Sequence, residues 1–203
     1  MGPDMKKVKT FQSLRNEGRQ QRQNIILDAA ERVFATTPFT EVSMRKIARE
    51  LGVSATTIYT YFPDQESLFI ESYLRRTQNL LELLQKIVEK QDGDMLAKLA
   101  TAYIDYLVKH QAYFKMVVHF MLYAALNPDS LAKLNTIERA VLDCLEAAFK
   151  KNKAAGNTRY LAHIFFASLN GILVTFNSYP GRTEKEVRQH MKRLTTTLCS
   201  HFS

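Results

Sequence analysis

A chain of 203 residues with 46% hydrophobic and 24% charged side chains is long enough for one large or two small cores, and its balance excludes a disordered or fibrous protein. The formal net charge of +8 favours a polyanionic partner, nucleic acid or a phospholipid surface. Cys144 and Cys199 suit neither a disulfide framework nor a zinc site, so a reducing cytoplasm is expected.

Residues 1–19 read as a basic arm. Over residues 1–24, Lys6, Lys7, Lys9, Arg15, Arg19 and Arg22 stand against Asp4 and Glu17, which puts half of the net charge near the amino end. Such an arm either follows phosphates and enters a minor groove or is a solvated tail. The opening residues lack the charged, apolar and cleavage regions of a secretory signal. Ile25, Ile26, Ala29, Ala30, Val33 and Phe34 recur at helical spacing, predicting a helix over 20–36 that stops before Thr37-Pro38.

Residues 43–62 carry the most informative pattern. Ile47, Ala48 and Leu51 share one helical face, Gly52 breaks the period, and Ser54 restarts a helix whose inward residue is Ile58. Ala48 allows close approach, Gly52 can take a positive φ, and Ser43 and Ser54 can each cap a first turn. The pattern predicts two short helices meeting at a tight turn. A reader of duplex DNA uses such a corner to lay its second helix in the major groove; the alternative is an ordinary helix hairpin in an all-α core. Phe39, Val42 and Phe62 are available to fill the centre of this three-helix domain, 20–63.

A second domain, 64–203, is predicted to begin with Asp64 capping a helix that reaches about residue 90 with no flexible linker before it. Further helices are expected over 94–109, through Phe114 to Leu122, over 129–151, 158–178 and 183–202, giving an all-α chain of about nine helices. The helix at 158–178 is apolar over more than one face, which asks for cover on most sides. A second subunit is the expected cover, with Leu161, Phe165, Leu169, Gly171, Ile172 and Phe176 as the homodimer interface; the alternative is a central helix of the monomer. His163, Ser168 and Asn170 interrupt this stretch, which falls short of the about 20 apolar residues of a membrane span. No membrane partner is expected.

The first helix, the Leu51-Gly52-Val53-Ser54 turn, Ile58-Tyr59 and Tyr61-Phe62 followed by Asp64 and Leu68 together resemble the DNA-binding region of the tetracycline-repressor (TetR) family. The resemblance is specific over residues 20–70 and weak beyond. It implies an all-helical homodimer that regulates transcription in the cytoplasm, usually a repressor released from a double-stranded operator by a small molecule. It places Ser43 on a phosphate, Arg45 on a phosphate or base edge, Ala55, Thr56 and Thr57 toward the bases, Tyr59 on a phosphate, and Tyr61 near the backbone or a base. Helical geometry agrees in part: with Ile58 and Ile47 inward, Thr56, Arg45 and Arg49 point out. Gln65 stands where members of that family often carry lysine. The recognition helix also lacks Arg, Lys, Asn and Gln, so Arg45 is the best candidate for guanine while threonine and alanine meet thymine methyls.

Within the second domain, Tyr103, Phe114, His119, Tyr123, Phe166 and Asn170 are bulky or polar residues on apolar stretches, available to line an effector cavity or simply to fill the core. The supply of aromatic residues, Phe 12 and Tyr 9, suits a lipophilic or flat effector. The five histidines lack metal-ligand spacing, and neither a phosphate-cradling glycine loop nor a recognisable nucleophile setting is present, so no enzyme, metal or cofactor is expected. A nonspecific nucleoid or DNA-scaffolding protein of the same fold is the rival reading.

Overall fold

The computed structural model describes residues 18–90, 93–123 and 126–202, apart from the side chains of Phe39 and Tyr123. Those residues form α1 Arg19–Thr36, a 3-10 turn Phe39–Glu41, α2 Met44–Leu51, α3 Ala55–Tyr59, α4 Gln65–Lys90, α5 Met95–Lys109, α6 Gln111–Tyr123, α7 Pro128–Lys151, α8 Thr158–Phe176 and α9 Glu184–Ser200. Among the described residues there is no strand. The class is all-α, as the periodicity predicts. Most of the basic arm, the side chain of Phe39 expected in the first core and that of Tyr123 expected at the effector cavity lie outside the described residues.

Two compact units divide between Tyr73 and Leu74, inside the continuous helix α4. In the first unit Ile26, Ala29 and Ala30 of α1, Ile47 of α2 and Ile58 of α3 are fully buried, with Phe62 and Val42 beside them. Phe34 meets Phe69 edge-on at 5.2 Å, so the start of α4 closes this small core. Asp64 Oδ1 accepts the Ser67 amide at 2.7 Å and thereby satisfies a first-turn donor of α4.

In the second unit α8 packs on α7, α9 and α5. Phe149 of α7, Phe165 of α8 and Phe202 beyond α9 form a mutual edge-to-face trio with centroids 5.4 to 5.6 Å apart. The helix starts are fixed by polar side chains: Asp94 for α5, Asn127 with Pro128 behind it for α7, Asn157 for α8, and a reciprocal Thr183–Glu186 capping box for α9. Polar ties cross the packing. Thr77 and Tyr113 hydroxyls pair at 2.9 Å, the Tyr106 hydroxyl donates to the Arg76 carbonyl at 3.0 Å, and Lys151 Nζ donates to the Val88 carbonyl at 3.0 Å near the end of α4.

By length and composition alone α8 is apolar enough to cross a membrane, with 19 residues and a mean hydropathy of 1.2 over its most apolar window, a property that core helices share. Its Ala162, Phe165, Leu169 and Leu173 are nonetheless buried along one side, as in a core helix of a helical bundle.

Candidate nucleic-acid interface

The corner between α2 and α3 forms for local reasons. Ser43 Oγ accepts the Lys46 amide at 3.3 Å, and Ser54 Oγ accepts the Thr57 amide at 3.2 Å. Between them Gly52 sits in the left-handed region at φ 67°, which returns the Val53 amide to the Ala48 carbonyl at 3.0 Å and ends α2. With Ile47 and Ile58 fully buried, the opposite sides of both helices face outward. Arg45 and Arg49 are exposed one turn apart on α2, Thr56 is exposed on α3, and Tyr59 is half exposed. The corner therefore presents two guanidinium groups, a hydroxyl and a phenol on one short surface.

The remaining predicted contacts are less available. Ser43 and Ala55 are partly exposed, and the Thr57 hydroxyl lies 2.9 Å from Ser54 Oγ within the cap. Tyr61 is half buried and turned toward α1: its hydroxyl accepts from Arg22 Nη1 at 3.1 Å, and Arg19 Cζ sits 5.7 Å from its ring centroid. Arg19 also donates to the Thr60 carbonyl at 3.4 Å. The sequence reading assigned both arginines to the basic arm or its edge and missed that they reach Thr60 and Tyr61, just past the end of α3. The only signal was the excess of positive charge before the first helix. Nearby, Glu50 pairs with Arg32 at 2.8 Å and Glu41 with Lys46 at 3.8 Å, so the acidic groups of this unit are partly neutralised beside the outward arginines.

In the second unit the predicted effector residues fall into two groups. Tyr103 is buried and its hydroxyl donates to Asn170 Oδ1 at 2.8 Å, while Asn170 Nδ2 donates to the Phe166 carbonyl at 2.9 Å and the Tyr103 and Phe166 rings meet at 5.9 Å. Burial pushes the Tyr103 hydroxyl well above the usual phenol range, with Tyr113 and Glu138 adding to it, so it stays a neutral donor. Phe166 and Asn170 border an open groove between α6 and α8, of about 400 Å³, walled by Val118, Met121, Leu122 and Val174 and almost free of polar surface. Phe114 and His119, both partly buried, do not border it, and the Tyr123 side chain lies outside the described residues.

Desolvation lowers the His119 pKa below its ordinary 6.5. The unfolded chain then binds the proton more readily, so stability is full above about pH 6.5 and falls as the pH drops through the lower folded value. Thermal melts between pH 7 and 5 are expected to show this loss, and His119→Asn to remove that part of it.

The predicted dimer stripe is divided by the packing. Phe165 and Leu169 are fully enclosed within the subunit, which corrects their assignment to a surface between subunits. Leu161, Ile172 and Phe176 are partly exposed, and Gly171 is exposed. Phe176 stacks on His190 at 4.8 Å, beside a cavity of about 530 Å³ also lined by Tyr179, Arg182 and Arg193, which periodicity gave no means of finding. The outward stripe of α8 is instead Tyr160, Ile164, Ala167, Gly171 and Val174, successive residues four and three positions apart. Among the described residues, no group of three His, Cys, Asp or Glu side chains is placed to hold a metal ion.

An all-α unit in which two short capped helices meet at a left-handed glycine, with arginine, threonine and tyrosine outward, is a helix-turn-helix DNA-binding domain. Residues 26–71 match the family model described as bacterial regulatory proteins, tetR family. An HTH-type transcriptional regulator of Mycobacterium tuberculosis is 38% identical over 65 residues, 32% of each chain. The HTH-type transcriptional regulator AcrR of Shigella flexneri is 34% identical over 85 residues, 42% of this chain and 39% of that protein. The chain thus spans between about a third and two fifths of the length of these curated relatives. Over a longer stretch, the crystal structure of the transcriptional regulator FadR from Bacillus subtilis in complex with stearoyl-CoA has a TM-score of 0.72 at 19% identity, covering 88% of this chain and 98% of that one. That likeness is one of fold.

Proposed function

We propose that this chain is a cytoplasmic transcription regulator, a repressor, that binds a palindromic operator as a homodimer and is released by a small lipophilic or aromatic effector. The observation that carries the reading is the outward cluster of Arg45, Thr56 and Tyr59 on a capped corner whose Ile47 and Ile58 are fully buried, within the stretch that matches the family model. The first turn of α3 meets base edges in the major groove, Arg45 hydrogen-bonds a guanine, and Tyr59 and Ser43 meet phosphates.

Arg45→Ala is expected to weaken binding to a duplex selected from a random library by about 1–3 kcal/mol, and binding to scrambled duplex by less. Equal loss on both would show that Arg45 reads phosphate only. An absence of any preference between the two duplexes for the unaltered protein would favour the nonspecific nucleoid reading, which the lack of Arg, Lys, Asn and Gln in α3 supports.

Two copies are proposed to join along Tyr160, Ile164, Ala167, Gly171 and Val174, since the alternation of four and three positions is that of a helix–helix seam. The apolar groove between α6 and α8 supports a lipophilic effector, as does the fold shared with a regulator that holds stearoyl-CoA. Native mass spectrometry of the purified protein is expected to reveal a retained molecule with a hydrocarbon chain or aromatic ring; a highly charged, chainless species would contradict the assignment. Helix α4, continuous from Gln65 to Lys90, is the proposed route by which occupancy alters DNA binding.

A further inference from the structure

We infer that Arg22, assisted by Arg19, is a positioning residue for DNA binding: it holds the Tyr61 side chain so that its hydroxyl meets a DNA phosphate. The inference rests on the DNA-binding reading above. Arg19 and Arg22 stand three positions apart at the start of α1 and so share a face of that helix. From there Arg22 Nη1 donates to Tyr61 Oη at 3.1 Å, Arg19 lies over the Tyr61 ring at 5.7 Å, and Arg19 Nη2 reaches the Thr60 carbonyl at 3.4 Å, just past the end of α3.

Guanidinium groups only donate hydrogen bonds, so the contact with Arg22 uses a lone pair of the phenol oxygen and leaves its proton out of that bond. It is therefore compatible with the hydroxyl donating to a phosphate, and the adjacent positive charge polarises the hydroxyl toward donation. The ring contact with Arg19 restricts the same side chain before DNA arrives, which lowers the ordering cost of binding. α3 has only five residues, so a tie at its carboxyl end from α1 also sets the approach of the last turn.

A double-mutant cycle tests this, with Arg22→Ala, Tyr61→Phe and the pair measured by fluorescence anisotropy on a duplex selected by the unaltered protein and on a scrambled duplex. Each single change is expected to weaken the selected complex about tenfold, with the pair no worse than either alone. Arg22→Ala is further expected to leave the salt slope unchanged, and Arg22→Lys to restore most of the affinity. Additive losses of about a hundredfold, with a salt slope lower by about 1, would overturn the inference and make Arg22 a direct phosphate contact. If Arg22→Ala lowers the melting temperature of the domain, Arg22→Gln takes its place in the cycle. Failure of the unaltered protein to select any duplex would overturn the DNA-binding reading and this inference together, whereas additivity overturns the inference only.

Discussion

Replacing Phe165 by alanine is expected to lower the free energy of unfolding by about 3–5 kcal/mol. Phe165 is fully buried, and its ring meets Phe149 and Phe202 edge-on, each at 5.6 Å. Truncation removes the transfer free energy of the ring and leaves a cavity bounded by two aromatic rings from α7 and from the chain beyond α9, which cannot both collapse into it. Urea unfolding monitored by circular dichroism gives the test, with an unchanged m-value marking a change in stability rather than in the unfolded state. A loss below about 1 kcal/mol, accompanied by dissociation into folded monomers, would place Phe165 between subunits after all.

Replacing Ile164 by glutamate is expected to have the opposite signature: little effect on the unfolding of a single subunit, dissociation of the dimer, and a loss of operator affinity of at least about a hundredfold. Ile164 is 54% exposed in the subunit and lies within the outward stripe of α8. In a two-fold interface each carboxylate would be desolvated and brought near its own copy, a charge burial without a partner. The affinity follows, because two half-sites bound by one linked pair gain an effective concentration that separate monomers lack. Sedimentation at micromolar concentration and anisotropy on the selected duplex give the two readouts. A dimer that survives the change would move the interface to another surface.

The helix-turn-helix was legible because its determinants are local. A serine able to cap, a glycine at the one place that takes φ 67°, and an apolar residue in each helix lie within a few positions of one another and act through the first and last turns. The helices of the described residues were legible from their apolar period and from the breaks between them, and Asp64 was read as a cap; the caps at Asp94, Asn127, Asn157 and Thr183 are equally local but were read only as breaks or not at all. The 3-10 turn at Phe39–Glu41 was not foreseen; its bond from the Glu41 amide to the Pro38 carbonyl leaves no hydrophobic period to read.

The inward side of α8 could not be read from its own residues. A helix apolar nearly all round gives several equivalent stripes, and only the positions of α5, α7 and α9 decide that Phe165 and Leu169 go in while Tyr160 and Ile164 stay out. The link from Arg22 to Tyr61 was hidden for a similar reason. The two residues are 39 positions apart, and nothing in the local sequence of either announces the other. Asn170 shows the converse case: read as a polar residue that either lines a cavity or is satisfied in the core, it accepts from Tyr103 and donates to Phe166 while bordering the groove.

The stoichiometry of the protein on a selected duplex tests the central claim most directly. Sedimentation equilibrium at physiological salt is expected to find two chains per duplex on a sequence with inverted half-sites about 10 base pairs apart, and much weaker association with its scrambled counterpart. A single chain per duplex, or equal association with both sequences, would contradict the account.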